Sequence, residues 1–151
     1  MTEVRFYHLQ TQSVQQALPV MLQKALERGQ KSVLKFSDTR AVEAMNAYLW
    51  TYDPASFLPH GSAKDGEDKA RYQPVWLTTG DENPNNAYIL FLCGGATAEN
   101  LNDFTLCCEM LEDGDEAGVQ AARGRWKAYQ EAGHEVTYWK QNARGGWDKK
   151  G

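Results

Sequence analysis

The chain has 151 residues, of which 42% are hydrophobic and 24% are charged, and its formal net charge is −4 at pH 7. This length suits a single domain, and the apolar content excludes a disordered chain. The longest apolar runs are far shorter than the roughly 20 residues that cross a bilayer, and the amino terminus lacks the basic-then-apolar order of a secretion signal. We therefore expect one cytoplasmic domain without membrane association.

The first part of the chain alternates strand and helix patterns. Residues 4–9 are rich in β-branched and aromatic side chains, and Ser13 then precedes apolar residues at helical spacing. Pro19 leaves open whether this helix begins near it or bends there. Residues 32–36 predict a second strand, and Asp38 predicts the N-cap of a second helix. The predicted order is therefore βαβα.

The second part begins with a long connection. Residues 53–74 contain three prolines, two glycines and many charges, which predicts a loop over the whole stretch. Three further strands are predicted from short apolar runs at residues 75–79, 87–92 and 104–111. A helix capped by Asp113 or Asp115 should then run to about Gly133, and residues 135–139 should close the sheet.

Strands that alternate with helices indicate the fold class. The pattern predicts an α/β protein, a single Rossmann-like three-layer domain with a mostly parallel central sheet and helices on both faces. We place this domain at residues 1–140. Residues 141–151, which end in GGWDKKG, are predicted to form a mobile basic C-terminal tail.

The usual signatures of catalysis do not appear in the sequence. Residues 10–13, after the first strand, contain no glycine that would let a pyrophosphate approach the backbone, and the GxxxxGK[ST] pattern is absent. The paired Gly94 and Gly95 are more typical of turn geometry. The three histidines lie in different elements, and the adjacent Cys107 and Cys108 should point to opposite faces of a strand as small hydrophobic residues. We therefore expect no catalytic residues, no cofactor and no metal.

The charge is unevenly distributed along the chain. Residues 119–151 carry seven bases and three acids, a net charge of +4, whereas residues 1–118 have a net charge of −8. The negative total argues against broad binding to a nucleic-acid backbone. A basic end on an acidic body instead favours attraction of a small acidic partner at one place.

The predicted late helix combines a basic flank with a large aromatic residue. Its apolar residues recur at helical spacing and should face the sheet, and a polar stripe lies beside them. The apolar set is Val119, Ala122, Trp126 and Tyr129, and the polar stripe is Arg123, Lys127 and Gln130. Two interpretations stay open: a helix with Trp126 in the core and a solvated basic flank, or a shallow pocket in which Arg123 and Lys127 hold a carboxylate beside Trp126.

Four segments carry a family resemblance in the same order along the chain: VRFYHL, LWTYDPASFLPHG, PVWLTT and EDGDEAGVQAARGRWKAYQEAGHEVTYWKQ. With these segments the chain resembles the chi subunit of bacterial DNA polymerase III, most specifically in SFLPH and AARGRWKAY. The resemblance implies a non-catalytic, Rossmann-like subunit that joins the clamp loader through the psi subunit. It also implies binding to the acidic C-terminal tail of single-stranded DNA-binding protein, contact with DNA only through partners, and a place at the cytoplasmic replisome.

The resemblance further implies which residues bind this tail. Arg123 and Trp126 match the arginine and aromatic of the family's groove, with Lys127 beside them, and Trp50 and Phe57 match aromatic residues around the PASFLPH segment. Trp126 departs mildly, since a tyrosine can occupy that position. An acidic tail with a terminal apolar residue needs one pocket, one cationic clamp and a basic approach, and the late helix offers all three. The residues that contact psi, and whether psi, another clamp-loader protein or a helicase is the docking partner, stay open.

Two functions from other classes remain as alternatives. A Rossmann-like enzyme that handles nucleotides or phosphate rests on fold analogy alone. A direct binder of single-stranded nucleic acid would need aromatic residues interleaved with bases along a groove, which a chain of net charge −4 matches poorly.

Overall fold

The computed structural model describes residues 2–52, 59–63 and 67–151. Within these ranges the chain forms eight strands and three α-helices. In chain order they are β1 (Glu3–Leu9), α1 (Val14–Glu27), β2 (Ser32–Lys35), α2 (Thr39–Thr51), β3 (Gly61–Ser62), β4 (Val75–Thr78), β5 (Ile89–Leu92), β6 (Leu106–Glu112), α3 (Glu116–Glu131), β7 (Glu135–Gln141) and β8 (Trp147–Lys149).

The strands form one sheet in the order β3-β4-β2-β5-β6-β1-β7-β8. Every pair is parallel except β7 with β8, which is antiparallel. The predicted α/β class and mostly parallel sheet are therefore confirmed. Parallel strands need crossover connections, and α1 lies between β1 and β2, α2 between β2 and β3, and α3 between β6 and β7.

The helices begin where their capping residues predict. Ser13 accepts a hydrogen bond from the backbone N–H of Gln16, whose side chain in turn accepts from the Ser13 N–H. Asp38 caps α2 and Asp115 caps α3, each through a hydrogen bond three residues ahead. Pro19 is buried inside α1, which begins at Val14 before it. None of the described helices combines the length and apolar content needed to cross a bilayer.

Two apolar clusters take alternate residues of the same strands. The first contains buried residues of α1 and α2 together with Tyr7 and Leu9 of β1. The second contains Phe6 of β1 and Ala122 of α3. Alternate residues of a strand point to opposite faces of a sheet, so the residues that β1 gives to the two clusters lie on opposite faces. Cys108 belongs to the first cluster and Cys107 to the second, as adjacent strand residues should.

The long connection after α2 contains regular structure that the sequence analysis missed. The expectation of a loop over residues 53–74 is wrong for β3 and for a 3-10 helix at Glu67–Tyr72. Gly61 pairs with Trp76 of β4, so β3 is a short edge strand. Two residues are too few for the alternation that marks a strand in sequence, and the surrounding prolines and charges hide it.

The C-terminal segment also differs from the expectation. The sequence predicts a mobile basic tail at residues 141–151, whereas Gln141 lies within β7 and β8 pairs with β7 as a hairpin. The ring of Trp147 packs edge-on against Tyr7, with 4.7 Å between ring centroids. The glycines and charges around Trp147 are not typical of a strand. A local sequence pattern also does not show which residues would pair with it.

Candidate functional site

The register of β6, β1 and β7 sets the floor beneath α3. Phe6 of β1 lies between Glu109 of β6 and Tyr138 of β7. Two residues further along, His8 lies between Leu111 and Lys140 in the same manner. Since residues two apart share a face, both rows lie on the face that α3 covers.

A buried ionic cluster fixes α3 to this floor. Glu109 is only 2% exposed and accepts two hydrogen bonds from Arg125, of 2.7 and 2.9 Å. The hydroxyl of Tyr129 donates a third at 2.7 Å. Burial and the Glu109 charge raise the pKa of the Tyr129 hydroxyl, so it stays a donor. These bonds set the rotation of α3 and therefore the side on which Arg123 and Trp126 lie.

Between α3 and the β7–β8 hairpin runs a groove of about 650 Å³, which we call the α3 groove. One part of its lining is apolar and the other is polar or cationic. The apolar residues are Phe6, Leu111, Val119, Ala122 and Trp126, and the polar or cationic ones are His8, Arg123, Tyr138, Lys140 and Lys150. The charged side chains of this lining are therefore cationic, which suits an anionic ligand.

The polar wall of the α3 groove is linked across strands. His8 Nδ1 lies 2.5 Å from the hydroxyl of Tyr138. Burial lowers the pKa of His8, the Asp113 carboxylate opposes that change and Lys140 reinforces it. Burial raises the pKa of Tyr138, and the Arg123 cation opposes the rise. Arg123 thus acts electrostatically on a side chain of the opposite wall.

A second depression of about 610 Å³ shares Arg123 and His8 with the α3 groove. Its charged lining is different, since it includes the carboxylates of Asp113, Asp115 and Glu116. Arg123 therefore stands at the border between a cationic groove and an acidic depression.

The structure brings together some of the predicted tail-binding residues. Arg123 and Trp126 line the same groove, and Lys127 is exposed on α3 outside its lining. Trp50 lies on the last turn of α2, is 56% exposed and has its ring 4.5 Å from that of His60, so it does not join this groove. Phe57 lies outside the described residues.

Both interpretations of Trp126 apply in part. Its ring packs 5.3 Å from that of Phe6 and against the second apolar cluster, yet it is only partly buried and lines the groove. Sequence reasoning did not identify Phe6, His8, Lys140 or Lys150 as groove residues. The excess of basic residues in 119–151 indicated a cationic surface, but it did not indicate which basic side chains would line the same groove.

A different crevice lies at the carboxyl ends of β2, β5 and β6, where open α/β sheets commonly bind ligands. Four backbone N–H groups of residues 10–14 already have side-chain acceptors. Gln141 Oε1 accepts from Gln10, Thr11 and Gln12 at 3.0–3.2 Å, and Glu112 accepts from Val14 at 2.7 Å. Side chains of the protein thus occupy the donors that would otherwise hold a phosphate.

Comparison with known proteins identifies the family. The family model described as "DNA polymerase III chi subunit, HolC" matches residues 1–137. A protein of Rickettsia prowazekii (strain Madrid E), named probable DNA polymerase III subunit chi, is 33% identical over 92 residues. This alignment covers 61% of the chain and 54% of the relative, so the chain spans about half the length of the relative it matches. Because the family model covers nearly all of its length, the chain belongs to the DNA polymerase III chi subunit family.

Proposed function

We propose that this protein is a non-catalytic accessory subunit of DNA replication that binds the acidic C-terminal tail of single-stranded DNA-binding protein in the α3 groove. The main observation in support is that Arg123 and Trp126 line the same groove. The other charged residues of its lining are Lys140 and Lys150. Membership of the chi family supports the replication role.

The chemistry of the groove suits an acidic peptide that ends in an aromatic residue. Arg123 offers a planar guanidinium that can donate two hydrogen bonds to one carboxylate. Trp126, with Phe6 below it, offers apolar surface on which a terminal ring can pack. We therefore assign the terminal carboxylate to Arg123 and the terminal side chain to Trp126.

The proposal includes the wider role that the family implies. We infer a Rossmann-like domain with helices on both faces of the sheet, which the division of the two apolar clusters supports. In this role the protein joins the clamp loader through a psi-type partner in the cytoplasmic replisome and meets DNA only indirectly. It would then link the polymerase machinery to single strands that are coated with single-stranded DNA-binding protein.

The alternative, an enzyme that handles nucleotides or phosphate, has less support. The loop between β1 and α1 would have to offer its N–H groups to phosphate. The side chain of Gln141 holds three of them, and Glu112 holds the N–H of Val14 at the start of α1. Glu112 also lines the crevice at this place, where its carboxylate would repel a phosphate.

The central experiment is a titration of each folded variant with an acidic peptide that ends in phenylalanine. Arg123→Ala should weaken binding about tenfold to a hundredfold, because a hydrogen bond between charged groups contributes about 1.5–3 kcal/mol. Lys127→Ala should weaken it less than about fivefold, since an exposed ammonium outside the groove makes a screened contact. Unchanged affinity in Arg123→Ala would rule out this site.

The same titration tests the remaining residues that the resemblance implies. The contribution of Trp50 and Phe57 stays a prediction, and Trp50→Ala measures the first of the two. Replacing the terminal phenylalanine of the peptide by alanine should weaken binding to the wild type and have a smaller effect on Trp126→Ala. A response to ATP or GTP in place of the peptide, read as a thermal shift, would favour the enzyme alternative.

A further inference from the structure

The cationic α3 groove adjoins an acidic depression at Arg123, and this difference in charge gives a bound peptide a direction. We propose that an acidic peptide lies with its terminus at Arg123 and its acidic residues over Lys140 and Lys150 of the β7–β8 hairpin, so that the hairpin is a second binding element. This inference rests on the proposed function and adds the orientation of the ligand and two contact residues.

The acidic depression beside Arg123 supplies the first argument. The depression that adjoins the groove at Arg123 and His8 has Asp113, Asp115 and Glu116 in its lining. A peptide that placed its acidic residues there would bring like charges together, which costs binding free energy. In the α3 groove the charged lining residues besides Arg123 are the two lysines. The favourable path therefore leads from Arg123 toward the hairpin.

The hairpin holds its lysines in a defined position. The backbone N–H of Lys150 donates to Tyr138 O at 2.7 Å, and the Tyr138 N–H donates to Gly151 O at 3.3 Å. The backbone of Lys150 is therefore paired with that of Tyr138, which lines the same groove as Arg123, and Arg123 acts electrostatically on the Tyr138 hydroxyl. The cations of this groove are Arg123 on the α3 side and Lys140 and Lys150 on the hairpin side, and Tyr138 lines the groove with them.

One carboxylate lies close to this wall. Asp148 is opposite Lys140 in the β7–β8 register, is exposed and accepts a hydrogen bond from Asn142 at 3.4 Å. It does not line the groove, but its charge offsets part of the Lys140 charge. Asp148→Asn should therefore raise the affinity for an acidic peptide, which is the opposite direction from the lysine variants.

The test compares two charge-reversed double variants of equal net charge. Lys140→Glu with Lys150→Glu changes the groove wall. Arg144→Glu with Lys149→Glu changes the same hairpin outside the groove, because Arg144 is exposed in the turn and Lys149 shares the strand face of Trp147. Circular dichroism and melting temperature establish that both variants are folded.

Each variant is titrated with two peptides that share a terminal phenylalanine. One carries acidic residues before it, and in the other these are replaced by serine. The groove variant should lose about threefold to thirtyfold in affinity for the acidic peptide, since each exposed ion pair contributes modestly. For the serine peptide its loss should stay within about twofold, and the control variant should behave like the wild type with both peptides.

The outcomes separate this inference from the proposed function. Equal losses in the two double variants, or an equal loss with both peptides, would overturn the assignment of the hairpin lysines and leave Arg123 and Trp126 in place. A wild-type protein that binds neither peptide would overturn the proposed function and this inference with it. A rise in affinity of the groove variant for a peptide with lysines in place of the acidic residues would confirm the orientation.

Discussion

At the residue scale, Glu109 is the side chain on which the geometry of the candidate site depends most. It is buried in a central strand, and its carboxylate is held by Arg125 and Tyr129, which lie one turn apart on α3. A buried charge is tolerated only when it is paired and fully hydrogen-bonded, so this cluster specifies how α3 sits on the sheet. Arg123 and Trp126 lie on the same helix, so the position of α3 on the sheet also fixes the positions of these two residues.

Glu109→Gln should lower the free energy of unfolding by about 2–3 kcal/mol, because the amide leaves the partly buried Arg125 without its anionic partner. Urea denaturation followed by circular dichroism measures the change. Glu131→Gln on the exposed surface of the same helix is the matched control and should change stability by less than about 0.5 kcal/mol. Equal effects in the two variants would show that the cluster does not anchor α3.

At the element scale, the β7–β8 hairpin joins a strand that the sequence predicts, β7, to a segment that the sequence predicts as a mobile basic tail. Its antiparallel pairing extends the sheet beyond β7, and the ring of Trp147 packs against Tyr7 of the first apolar cluster. Because strand residues alternate, Trp147 on one face leaves Lys150 on the other, beside the α3 groove. Packing on one face of the hairpin therefore orients a charge on the opposite face.

Hydrogen exchange distinguishes a paired hairpin from a free tail. The amides of Tyr138 and Lys150 should be protected in the wild type, since both donate to backbone carbonyls of the paired strand. Trp147→Ala should speed their exchange and lower stability by about 1–2 kcal/mol, less than for a fully buried tryptophan because Trp147 is half-buried. Trp147→Phe should keep most of the protection. Exchange of both amides at the rate of an unstructured peptide would instead support the mobile tail.

At the scale of the whole molecule, the charge distribution decides which ligands can approach. The acidic body, with a net charge of −8 over residues 1–118, repels a polyanion, while the basic end attracts a short anionic segment. A nucleic acid must lie along many cations at once to gain from counterion release, and the cationic wall of the α3 groove is short. The molecule as a whole thus favours a peptide over a nucleic-acid strand.

The isolated protein should therefore show no binding to a labelled single-stranded oligonucleotide at micromolar concentration and physiological salt, as followed by fluorescence anisotropy. The acidic peptide, labelled in the same way, serves as the positive control, and its affinity should fall as salt is raised. Micromolar affinity for the oligonucleotide would contradict the indirect role in DNA contact.

The sequence by itself determined what depends on neighbours along the chain. Ser13, Asp38 and Asp115 cap their helices as predicted, because a cap acts within three residues. Helical spacing correctly placed Arg123 on the flank beside Trp126, and strand alternation separated Cys107 from Cys108. The family resemblance, confirmed by the match of residues 1–137, rests on segments of this local kind.

Only the tertiary structure decided which distant residues meet. The order of strands in the sheet put Lys140 beside His8, and the hairpin brought Lys150 to Tyr138. Gln141 reaches the N–H groups of residues 10–12 across a separation of 129 to 131 residues. Pairing between β1 and β7 depends on the summed burial of two apolar faces and on strand register, so no local pattern encodes these contacts.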